Sequence, residues 1–131
     1  MKKLFFLVGI LLLAVSVYGV DIERVDLGNG KFINYVLSTD YTELENFAAR
    51  EFGVRINIGQ TYSWNDNTHN DNLAPQIRSL MRQYTQQGRY PSFAMAIYTD
   101  ARNDVESIFV NWCYRDPDTG VYIYKTTYWD F

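Results

Sequence analysis

Two long runs of β-forming residues, VESIFVNWCYR and VYIYKTTYWDF, flank DPDTG at the end of the chain. No other feature restricts the fold as much. Between the runs, a Pro early in the turn and a Gly able to adopt positive φ predict a long antiparallel hairpin. If the turn pairs Arg115 with Val121, then Tyr114 faces Tyr122, Trp112 faces Tyr124 and Ile108 faces Tyr128, all on one side. Cys113 with Ile123, Asn111 with Lys125 and Phe109 with Thr127 then fill the other side. The ring-rich side is either a surface for helices to cover or a platform for sugars, peptide or peptidoglycan. Register decides what shares a face, because a slip of one residue moves every ring to the opposite side.

Upstream, DIERVDL and KFINYVLS flank Gly28-Asn29-Gly30, and Asn-Gly between alternating strands predicts a first hairpin. STDYTELENFAAREFG reads as a helix, with Asp40 and Glu43, or Thr42 and Glu45, available as a capping box and Gly53 to end it. Val54, Ile56 and Ile58 alternate with Arg55 and Asn57, which predicts a half-buried strand. Leu73, Ile77, Leu80, Met81 and Tyr84 lie on one face of a helix spanning about 73–87, closed by Gly88. The opposite face of that helix carries Arg78 and Arg82, read as a solvated face rather than a phosphate stripe. SFAMAIYT is apolar on both faces, as a central strand is. The order ββ-α-β-α-βββ predicts an α+β domain, a mostly antiparallel sheet of five to six strands with two helices packed on one face.

The first nineteen residues read as a cleaved export signal. Lys2 and Lys3 precede the apolar run Leu4 to Val15, and small residues at Ser16 and Gly19 suit cleavage. One globular domain, residues 20–131, is then expected in a periplasmic or secreted location. The whole chain carries net charge −3. Losing Lys2 and Lys3 leaves ten basic against fifteen acidic residues, a net −5 that disfavours nucleic acid and anionic membranes as partners. Cys113 is the only cysteine, so no intrachain disulfide forms. Its place between Trp112 and Tyr114 reads as a buried, inert thiol.

SWNDNTHNDN, residues 63–72, concentrates Asn and Asp around His69, the sole histidine. Asp66, His69 and Asp71 are potential ligands or catalytic groups, with Trp64 beside them. The spacing matches no known ligand pattern, and a calcium loop would need a Gly absent between Gly59 and Gly88. Asn and Asp here serve turns, and Asn70, Asp71 or Asn72 supplies the N-cap of the following helix. Asp100, Asp104 and Glu106, like Asp116 and Asp118, read as turn carboxylates, and Glu106 has no evident partner. No G-x-S-x-G, S-x-x-K, phosphate-binding or dinucleotide-binding glycine motif occurs.

These features point away from catalysis and assign no catalytic residue, metal or cofactor. They predict a small exported binding or interaction domain whose ligand is a glycan, a peptide or another envelope protein. Candidate binding residues are Trp64, Asp66, His69, Asp71, Trp112, Tyr114, Tyr122 and Tyr124. The alternatives are a metal-dependent envelope hydrolase built on Asp66, His69 and Asp71, and an inhibitor or immunity-type protein partner.

Overall fold

A computed structural model describes residues 21–66, 75–89 and 92–131 of the chain. The expected export signal, His69, Asp71 and the proposed caps at Asn70 to Asn72 lie outside these residues.

The fold is α+β. Strands β1 (Asp21–Gly28) and β2 (Lys31–Ser38) form the first hairpin, followed by helix α1 (Tyr41–Phe52). A 3-10 turn (Ile58–Gln60) leads to the two-residue strand β3 (Asn65–Asp66) and then to helix α2 (Pro75–Gln86). Strands β4 (Ser92–Thr99), β5 (Val105–Arg115) and β6 (Tyr122–Asp130) complete an antiparallel sheet of order β1-β2-β4-β5-β6-β3. The element order is therefore ββ-α-β-α-βββ. No described helix is long and apolar enough to cross a membrane.

Local chemistry explains the boundaries. Asn29 and Gly30 both take positive φ, 58° and 74°, as a two-residue turn of this hand requires. Asp40 caps α1 by accepting from the Thr42 backbone N–H at 2.9 Å, and Gly53 ends the helix with φ 68°. Glu45 does not form a capping box with Thr42. Its carboxylate instead accepts from the backbone N–H groups of Ile58, at 2.6 Å, and Gly59, at 3.2 Å.

Three expectations are corrected. The helices do not share one face. Phe93, Met95 and Ile97 of β4 pack with Leu44, Phe47 and Ala48 of α1, whereas Ala94 and Ala96 pack with Ile77, Met81 and Tyr84 of α2. A central strand apolar on both sides needs cover on both sides, and each helix supplies one layer.

Second, Val54 to Asn57 is not a strand, and Ile58 opens the 3-10 turn. Ile56 and Ile58 are buried while Arg55 and Asn57 are exposed. The alternation thus reports one-sided burial without a hydrogen-bonded neighbour, and the strand between the helices is β3.

Third, the last hairpin is out by one residue from the expected register. Arg115 pairs with Tyr122, Tyr114 with Ile123, Cys113 with Tyr124 and Trp112 with Lys125. The Asp116 N–H donates to the Val121 carbonyl at 2.9 Å, so Asp116 closes the ladder instead of entering the loop. Its carbonyl accepts from Gly120 N–H at 2.8 Å, and its side chain accepts from Asp118 N–H at 2.8 Å. A four-residue loop replaces the expected five-residue one, and the rings divide between the two faces.

Candidate functional site

On the α1 face, rings from separate parts of the chain wall a cleft of about 380 Å³. Thr39, Asp40 and Tyr41 border it from the start of α1, and Ile58, Gly59 and Thr61 from the 3-10 turn. Trp64, Phe93 and Trp112 complete the lining. Phe93 and Trp112 are direct partners across β4 and β5 and stack at 6.1 Å with 12° between their planes. Tyr41 meets Phe93 edge-on at 5.9 Å and 72°, and Trp64 meets Trp112 at 5.7 Å and 63°. Such edge-to-face contacts are a preferred geometry for ring quadrupoles.

Supporting bonds hold these walls. Asp40 fixes the first turn of α1 and so the place of Tyr41. Glu45 holds the 3-10 turn so that Gly59 lies against the Tyr41 ring, which leaves no room for a Cβ at that position. Trp112 Nε1 is buried, and no described residue accepts its hydrogen bond.

Trp64 and Trp112, predicted from sequence, come together here. Tyr114 lies against Trp112 at 4.9 Å but outside the cleft lining. Tyr122 and Tyr124 stand on the opposite face, packed in the α2 cluster with Cys113. There, Arg82 Nε donates to the Tyr124 hydroxyl at 3.1 Å, and the Arg82 and Arg78 guanidinium groups lie over the rings of Tyr122 and Tyr124 at 5.6 and 5.8 Å. The two arginines are thus partly spent on tyrosine rings rather than forming a fully solvated face. Asp66 pairs through its backbone with Lys125 at the sheet edge. Among the described residues, no three His, Cys, Asp or Glu side chains gather as metal ligands; His69 and Asp71 are not among these residues.

Tyr41, Phe93 and Gly59 were not singled out by sequence reasoning, and Asp40 was singled out only as a helix cap. Phe93 becomes visible only once β4 and β5 are placed in register, and Tyr41 once Gly59 is placed beside it.

The other candidate groups have structural work. Burial pushes the Cys113 thiol up, against hydrogen bonds from Thr85 and Tyr124 that favour the thiolate. The Tyr124 hydroxyl is likewise raised, chiefly by burial. Asp100 accepts from the Asp104 and Arg102 backbone N–H groups, and the Asp104 bond leads in holding its carboxyl below the ordinary range. Glu106 forms an ion pair with Lys31, a partner its sequence position did not reveal.

Comparison with protein-family models, curated proteins and solved structures finds no match for this chain.

Proposed function

We propose that the protein is a small exported binding domain that acts without catalysis and seats its ligand in the cleft between α1 and the sheet. The observation that carries this reading is the convergence of Tyr41, Trp64, Phe93 and Trp112 on one cleft of about 380 Å³. Ligand sites are commonly concave, mostly apolar and furnished with few polar groups. This lining has that character, with Thr39, Asp40 and Thr61 among the rings. Among the described residues, Asp40 is the only carboxylate in the lining, and one of its oxygens is committed to capping α1. Paired acid–base chemistry would need a second titrating group nearby. The ligand is a small molecule, or a compact group projecting from a glycan, peptide or envelope protein. Export rests on Lys2 and Lys3, the apolar run behind them and the small residues at Ser16 and Gly19.

Tryptophan emission titrated with an N-acetylglucosamine disaccharide and with N-acetyl-leucinamide tests the reading. At least one probe is expected to give a saturable change that Trp112→Ala abolishes and Trp129→Phe preserves. Saturation unaffected by Trp112→Ala would remove the cleft as the binding site, as would no saturation with these two probes together with choline and 3,3-dimethylbutan-1-ol.

A further inference from the structure

Resting on that binding role, we propose that the cleft recognises an alkylated ammonium group of the trimethylammonium type. Three observations lead there. The rings meet at 72° and 63° around a stacked Phe93–Trp112 pair, so they offer no single plane for a flat ligand. Walls at steep angles suit a compact head better than a flat one, and a ring face turned toward such a head attracts its positive charge through the ring quadrupole.

The charges also complement a cation. Asp40 lies in the lining, which contains no Lys or Arg among the described residues, and the Glu45 carboxylate is bonded to Ile58 and Gly59 just behind one wall. The chain as a whole is acidic, at net −3. Two features oppose the cation. The start of α1 contributes partial positive charge, which Asp40 and Glu43 in the first turn counter. Lys125 stands opposite Trp112 on β6, outside the lining.

Size agrees as well. A cleft of about 380 Å³ accepts the trimethylated head together with part of the group that carries it. An alkylated ammonium also demands few hydrogen bonds, which suits walls with few polar atoms. A primary ammonium would lose strong hydration here, whereas a methylated one is already weakly hydrated.

Calorimetric and fluorescence titrations with choline and with its neutral isostere 3,3-dimethylbutan-1-ol separate charge from shape. Choline is expected to saturate and to bind roughly tenfold more tightly than the alcohol. Asp40→Asn keeps the helix cap, because Asn caps as well as Asp. It is therefore expected to weaken choline severalfold and leave the alcohol unchanged, with thermal stability retained. Equal affinity for choline and the alcohol would overturn the cation proposal while leaving the cleft as an apolar binding site. Failure of choline to bind, with the disaccharide or the leucinamide still binding, would overturn it in the same way. Failure of all four probes would overturn both readings.

Discussion

Tyr41 and Gly59 are in contact at the mouth of the aromatic cleft, so a Cβ at position 59 would overlap the tyrosine ring. Gly59 lies outside the positive-φ region, so alanine meets a steric obstacle there and no backbone strain. The obstacle is the far end of a side chain that is 39% exposed and free to swing outward. Gly59→Ala should therefore cost under about 1 kcal/mol in chemical denaturation yet weaken any ligand held by Tyr41. Parallel urea and ligand titrations check both halves. Unchanged affinity in the variant would show that the Tyr41 wall takes no part in binding.

Glu45 supports the opposite side of the same contact. Its carboxylate accepts two backbone N–H groups of the 3-10 turn, one of them from buried Ile58. Hydrogen bonds to a charged group are worth about 1.5–3 kcal/mol each when buried, and less with partial exposure. Glu45→Ala is expected to lower stability by about 2 kcal/mol, and Glu45→Gln by less, since the amide oxygen still accepts. Urea midpoints of the two variants test this, and equal losses would show that the acceptor geometry is not what matters.

The parts legible in the sequence were those set by local chemistry. Asn29-Gly30, the Asp40 cap, Gly53 and Gly88 each fix a boundary through the backbone of nearby residues. The Val54–Ile58 alternation correctly reported burial, but a ladder also needs a neighbouring strand, and periodicity contains no such partner. The register of the last hairpin turned on whether Asp116 closed the ladder or entered the loop, a choice of one residue that moved Tyr122 and Tyr124 away from Trp112 and Tyr114. The helix faces were readable in principle, because SFAMAIYT already demanded two layers. The cleft was not, since Tyr41, Gly59, Trp64, Phe93 and Trp112 meet only through tertiary packing.

Cys113 gives a direct test of the corrected register. It is fully buried on the α2 face, opposite Tyr124, and burial raises its thiol above the ordinary value. The reactive species toward disulfide reagents is the thiolate. Native protein is expected to react with Ellman's reagent only as fast as it opens, with the full thiol appearing in denaturant. Tyr124→Ala should expose the sulfur and raise the native rate, whereas Ile123→Ala, on the opposite face, should raise it far less. A reversal of that order would contradict the pairing of Cys113 with Tyr124.

Tyr98 sets an alkaline limit on stability. Burial pushes its hydroxyl up to about 12, and the neighbouring Tyr35 hydroxyl adds to the shift. The unfolded chain releases this proton near ~10, so the folded state favours the neutral phenol. Its contribution to stability is complete below pH ~10 and is lost as pH rises from there through the folded value. Tyr98→Phe removes the ionising group and should flatten that part of the stability profile. The difference in 295 nm absorbance between the two proteins isolates Tyr98 from the other ten tyrosines. A midpoint near 12 is expected in the native difference curve. A midpoint near ~10 would mean that the Tyr98 hydroxyl is solvated and that this end of the α2 face is open to water.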